Sequence, residues 1–148
     1  VNVDMRRFRN PKLGMAVTAF AGPFSNFVLA ALLMVLYGLL VAFSAALPPA
    51  FAANAAQVIV LTAYMSISLG VFNLLPVPPL DGSKIVEAVL PQSAYYTIMR
   101  YERYGMIVLF VVLWMGILDG PLSYLTVRTM DAFMNIARWT FDAASALM

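Results

Sequence analysis

Apolar and polar positions along this chain fall into long blocks instead of alternating. Met15–Phe43 is almost wholly apolar. As a helix it reaches roughly 40 Å at about 1.5 Å per residue, enough to cross a bilayer with some tilt. Gly22-Pro23 within it is a break that membrane helices absorb as a kink. Ser44–Ala56 holds Pro48, Pro49 and Asn54, carries no charge, and reads as a loop. Val58–Leu75 is the second apolar block, about 27 Å long if helical. It runs into Asn73-Leu74-Leu75-Pro76-Val77-Pro78-Pro79-Leu80-Asp81-Gly82. The prolines stop the helix there, because each lacks an N–H and crowds the preceding turn. The pattern predicts a span over 57–90, broken at Pro76–Gly82, with a short helical continuation Ser83–Leu90 stopped by Pro91.

Gln92–Arg103 is polar and rich in tyrosine. Tyr104–Leu118 is a third, shorter apolar block, with Trp114, Tyr101 and Tyr104 placed to anchor its ends at headgroup level. Asp119-Gly120-Pro121 reads as a turn. Beyond it the pattern changes. Arg128, Asp131, Asn135, Arg138, Asp142 and Ser145 recur at spacings of three and four, which is one polar stripe on a helix, with Phe133, Ile136, Thr140 and Phe141 elsewhere around it. Residues 122–147 are therefore expected to form an amphipathic helix, lying in the membrane interface or packed on the bundle with its stripe toward water.

Composition turns these blocks into a class. The 148 residues are 63% hydrophobic and 11% charged, with a mean hydropathy of +0.87. Soluble domains run about 45–50% apolar and about 25% charged. The expected fold is an all-α, polytopic membrane protein with about three transmembrane helices, one of them broken at the Pro-rich Asp-Gly segment. The chain has no cysteine and no histidine, which removes disulfides and thiolate metal sites. A net charge of +2 without a basic–aromatic pattern gives no reason to expect nucleic acid as a partner. Val1–Lys12 is polar and basic, unlike a signal peptide, and an opening Val1 suggests part of a longer protein. Arg6, Arg7, Arg9 and Lys12 precede the first span, and Lys84, Arg100 and Arg103 lie between the second and third. The positive-inside tendency puts both regions in the cytoplasm.

Asp81 is the first candidate for chemistry. An ionisable residue at a chain break near membrane depth points to function, as a metal-bound or proton-handling carboxylate. The plainer alternatives are an Asp-Gly turn or a cap for the short helix that follows. Asn73 could cap the end of its helix, or its carboxamide could donate to a developing oxyanion. Ala19, Gly22, Asn26 and Ala30 share one helical face. Small residues there permit close helix packing, which is the preferred reading of Asn26, a direct catalytic role being the lesser one. Lys84 and Glu87 read as a pair on a helix face. Gly116 and Gly120 form a G-x-x-x-G pattern that hints at dimerisation.

Two motifs together resemble the site-2 protease (M50-type) family of intramembrane zinc metalloproteases. The first is Phe8-Arg9-Asn10-Pro11 followed by Ala21-Gly22-Pro23-Phe24-Ser25-Asn26. The second is Asn73-x-x-Pro76-x-Pro78-x-Leu80-Asp81-Gly82. The resemblance spans Phe8 to Leu90. It implies zinc-assisted hydrolysis of peptide bonds in membrane-embedded protein substrates, in the bilayer of a bacterial plasma membrane. It implies Zn2+ as cofactor and Asp81 as a metal ligand. Asn73 matches an asparagine thought to assist near the metal, and Asn26 matches the asparagine of the G-P-x-x-N helix. The broken segment would line the cavity, its free backbone groups pairing with an unwound substrate strand.

The departure is the missing H-E-x-x-H. Without histidine the chain lacks two zinc ligands and the glutamate base that takes a proton from metal-bound water. The expectation is that missing N-terminal helices of the same protein supply them, leaving this chain inactive alone. The alternatives are an inactive pseudoprotease or membrane partner, and a secondary transporter with a discontinuous helix. The transporter predicts an inverted repeat of the broken helix, and the sequence holds one copy.

Overall fold

The computed structural model describes residues 11–90 and 104–147. The Phe8-Arg9-Asn10 part of the first motif, the basic residues before Pro11 and the tyrosine-rich 92–103 stretch lie outside the described residues. All regular structure within them is helical: α1 (Pro11–Ala42), α2 (Pro49–Asn73), α3 (Asp81–Val89), α4 (Tyr104–Trp114) and α5 (Asp119–Ser145). A single 3-10 turn, Ser44–Ala46, follows α1.

Helices α1 and α2 are long and apolar enough to cross a membrane. Their outward surface is apolar as well, with Val17, Phe24, Leu32, Leu61 and Met65 all exposed. A helix that is apolar all round belongs in a lipid environment or a large core. This is the helical membrane protein expected from composition. Helix α4 is too short to span alone, at about 16 Å; it passes the same test only jointly with α5, across the break at 115–118. Among the described residues two helices are thus long and apolar enough to span, or three with that pair taken as one.

The anticipated Ser44–Ala56 loop is shorter than expected, because α2 begins at Pro49. Proline suits the first position of a helix, where its missing N–H would have no intrahelical partner. The Pro48 carbonyl takes up the first turn by accepting from Ala52 N at 3.0 Å. Pro121 likewise sits inside the first turn of α5, not in a separate turn. At the end of α4, Gly116 adopts φ +68°. Gly116 N donates to Leu113 O and Ile117 N to Val112 O, the paired bonds of a Schellman stop. That local role accounts for Gly116 without a dimer, and a Cβ on Gly120 would meet open space.

The chain divides into two compact units. One holds the described residues up to Ser25 together with those from Gly70 to Leu122. Its interior contains Ala19, Pro23, Val71, Ser83, Glu87 and Leu109. The other holds Asn26–Leu69 and the residues from Ser123 onward. Ala30, Met34, Ala63 and Ile67 are completely buried there. In this second unit α5 packs on α1: Phe27 and Phe133 rings lie 6.4 Å apart, and Gly38 faces Thr140 and the Ala137 carbonyl so closely that no Cβ fits. Ala137 and Ala144 are buried, while Arg128, Asp131, Asn135, Arg138, Asp142 and Ser145 are all exposed. The polar stripe of α5 is therefore exposed while its buried alanines and Phe133 pack on α1.

Candidate functional site

The first unit contains the break that the prolines impose. Helix α2 ends at Asn73. Leu74 N still reaches back to Gly70 O and Leu75 N to Phe72 O, both as last-turn bonds. Val77 N then donates to Leu75 O at 2.8 Å across Pro76, and Leu80 N to Val77 O at 2.9 Å across the Pro78-Pro79 pair, whose peptide bond is cis. Every N–H that residues 74–80 possess is thus consumed within the chain. A substrate strand meeting this segment would find its N–H groups already engaged. A β-ladder needs donors as well as acceptors, and the break has only carbonyls left to offer.

Asp81 opens α3 as its first helical residue; Leu80 is the N-cap, with no side-chain cap bond. The capping alternative for Asp81 is therefore not what the structure shows. A negative charge in the first turn is favoured by the helix dipole all the same. Ser83 Oγ donates to Leu80 O at 2.8 Å and secures the turn. Lys84 Nζ lies 3.2 Å from Asp81 Oδ1. The pairing of Lys84 with Glu87 read from the spacing gives way to Lys84 with Asp81. Glu87 instead points inward and is only 9% exposed. The Asp81 side chain is 35% exposed, so its ion pair with Lys84 is a half-exposed one of small energetic weight.

Three glycines fix what surrounds Asp81. A Cβ on Gly82 would run into the carbonyl oxygens of Leu74 and Leu75, so α3 starts flush against the end of α2. A Cβ on Gly105 would lie 2.9 Å from Pro78 O, so α4 passes directly against the break. A Cβ on Gly22 would stand 3.1 Å from Asp81 Oδ2, which brings α1 against the carboxylate. Spacing on α1 marked Gly22 as a packing residue and was silent on its facing Asp81. Neither did any local signal mark Gly105.

Asn73 is half-buried at the edge of the break, and its carboxamide makes no hydrogen bond among the described residues. Asn26 belongs to the second unit. The cross-helix bond at that position runs from Ser66 Oγ to the Asn26 main-chain carbonyl at 2.9 Å, so the carboxamide is not the linking group. Pro23, three residues before Asn26 on α1, is fully buried.

A catalytic zinc takes three protein ligands and keeps one position for water. Among the described residues no group of three His, Cys, Asp or Glu could hold a metal ion, and the full sequence has neither His nor Cys. The donor chemistry of Asp81 suits one ligand position. The set carried by this chain does not by itself fit a zinc ion.

Residues 38–117 match the sequence pattern of Peptidase family M50. The matched stretch contains the Asn73–Gly82 break and leaves out Gly22 to Asn26. Over 112 residues the chain is 34% identical to a Bacillus subtilis (strain 168) protein named "Putative zinc metalloprotease YwhC", covering 76% of this chain. The chain spans about half of that relative, 51% of its length. No solved structure matches. The family match covers more than half of the residues and takes in the whole proline break with its carboxylate, and on that ground the chain belongs to Peptidase family M50, a family of metalloproteases.

Proposed function

We propose that this chain is the carboxylate-bearing part of an intramembrane zinc endopeptidase, which hydrolyses peptide bonds of membrane-embedded proteins. Asp81 is its metal ligand. The observation that carries this reading is the delivery of Asp81 by a broken backbone, beside α2 and against α1, both long enough to cross a membrane. Irregular backbone at that depth is tolerated only where protein or a water-filled cavity surrounds it. A carboxylate held there needs a partner, and Lys84 supplies one from the next turn.

The zinc, when bound, supplies Lewis-acid polarisation of the scissile carbonyl and an activated water. Two histidines and a glutamate base are needed besides Asp81, and with no histidine in these 148 residues they come from residues beyond them. This chain on its own is then inactive. Asn73 borders the break with an unengaged carboxamide, suited to donate to an oxyanion. Asn26 serves the packing of α1 on α2, not the chemistry. The membrane is a bacterial plasma membrane, with the N-terminal side of α1 in the cytoplasm.

The test is Asp81→Ala in the intact protein, with the region that carries the histidines included, purified from membranes, reading zinc content and cleavage of a membrane-embedded substrate together. Loss of bound zinc with loss of cleavage is expected. Full zinc content and full cleavage would remove Asp81 from the metal centre. An upstream region without histidine ligands would turn the reading to a pseudoprotease.

A further inference from the structure

Helix α1 is longer than the bilayer it crosses. Its apolar stretch Leu13–Ala42 counts 30 residues, about 45 Å as a helix, against a hydrocarbon core of about 30 Å. Even divided equally between the two ends, the excess puts about five residues of α1, from Gly38 on, at headgroup level. A groove of about 280 Å³ opens between α1 and α5 at this level. Val41 on α1 and Met134 and Phe141 on α5 give it apolar walls. Arg138 and Asp142 share its rim. They stand one helical turn apart and both are exposed, yet among the described residues neither side chain makes an ion pair. Cation before anion is the less favourable order for a pair at this spacing. Trp139, next to Arg138, is 82% exposed, as amphipathic rings are at the membrane–water interface.

From this arrangement we infer that the α1–α5 groove is a lipid site, and that its occupant is a phospholipid with an ethanolamine headgroup. Charge complementarity selects that headgroup. Its phosphate accepts from the Arg138 guanidinium, whose fork matches phosphate oxygens. Its ammonium, held a short ethylene bridge away, donates to the Asp142 carboxylate. The two side chains, with Cβ atoms about 6 Å apart, present their opposite charges at a matching separation. A purely anionic headgroup would satisfy Arg138 but be repelled by Asp142. A choline headgroup has the right charges but no N–H to donate. One acyl chain lies against Val41, Met134 and Phe141, where it covers apolar surface that the chain itself leaves open. The inference rests on α1 crossing the membrane and is independent of any metal.

The experiment titrates the intact protein, purified in detergent, with phosphatidylethanolamine, phosphatidylglycerol or phosphatidylcholine, and reads bound lipid by native mass spectrometry. Phosphatidylethanolamine should bind about tenfold more tightly than either of the others, the scale expected of one hydrogen bond to a charged group. Arg138→Gln and Asp142→Asn should each remove that preference. Both side chains are exposed, so these substitutions leave the fold intact. Tighter binding of phosphatidylglycerol, strengthened further by Asp142→Asn, would mean a site for anions and overturn the inference. Equal binding of all three lipids, unaltered in both variants, would mean an unselective lipid coat and overturn it as well. A third variant tests the groove apart from its charges. Val41→Trp fills it and leaves Arg138 and Asp142 in place, so bound phosphatidylethanolamine should fall. Undiminished binding in Val41→Trp would place the lipid elsewhere.

Discussion

In the proposed reading Asp81 carries the chemistry, yet the residues that decide its placement have almost no chemistry of their own. Gly82 is the clearest case. Its missing side chain lets α3 begin against the Leu74 and Leu75 carbonyls. Both sides of that contact are main chain, so nothing can rotate away. Gly82→Ala is expected to cost about 1–3 kcal/mol, as overpacking does elsewhere, seen as a lower unfolding midpoint in detergent micelles. A midpoint equal to the parent's would show that the α2–α3 contact is looser than it stands here. Asn73 and Asn26 were both singled out by their types, but their settings differ. Asn73 borders the break with its carboxamide unengaged, whereas the bond at Asn26 uses the main-chain carbonyl. Glu87, three residues beyond Lys84, is buried and not a surface partner. The reason is geometric: Lys84 can reach back one turn to Asp81 as readily as forward to Glu87, and the first-turn carboxylate is the one facing it.

At the scale of elements, small residues and prolines do most of the organising. Without a hydrophobic drive between helices in lipid, close packing through small side chains holds a bundle together. Gly38 shows this for α1 and α5, where the Thr140 side chain and the Ala137 carbonyl occupy the space a Cβ would need. Gly38→Val should therefore push α5 off α1. The expected readout is faster tryptic cleavage at Arg128 and Arg138 in the membrane-bound protein, with a stability loss of about 1–3 kcal/mol. Unchanged protection of α5 would mean that α5 is held by other contacts, such as Phe27 with Phe133. Proline acts in opposite ways by position. Pro49 starts a helix, Pro23 stays buried within one, and Pro76, Pro78 and Pro79 end one. Gly116 ends α4 through a left-handed conformation, so a pattern that hinted at dimerisation is explained by a helix stop.

For the molecule as a whole, the decisive property is its apolar exterior. Only 17% of the most apolar window of α1 and 28% of that of α2 is buried within the chain, which leaves lipid or further protein to cover the rest. The proposed orientation rests on where the basic residues lie, and it is open to a direct test. With no native cysteine in these residues, single cysteines report cleanly. A Ser44→Cys protein in whole cells should react with a membrane-impermeant thiol reagent, and a Ser93→Cys protein only after permeabilisation. The reverse labelling would invert the orientation and put Asp81 nearer the outer face. The chain matches about half of a longer relative, and the proposed active centre needs histidines that these 148 residues do not contain.

The class and the position of the break were legible in the sequence by itself. Each depends on local chemistry: runs of apolar residues long enough to span, and prolines that cannot donate. The candidate carboxylate was legible for the same reason, since a charge next to such a break stands out wherever the chain folds. Helix ends were read less well. Pro49 and Pro121 look like loop residues until the first-turn N–H groups, which need no partner, are counted. What only the tertiary structure decided is which residues meet across helices. Gly22 facing Asp81, Gly105 against Pro78 and Gly38 under Thr140 join positions far apart in sequence. Absence of a side chain leaves no periodic signal, and its purpose shows only when another helix occupies the vacated space.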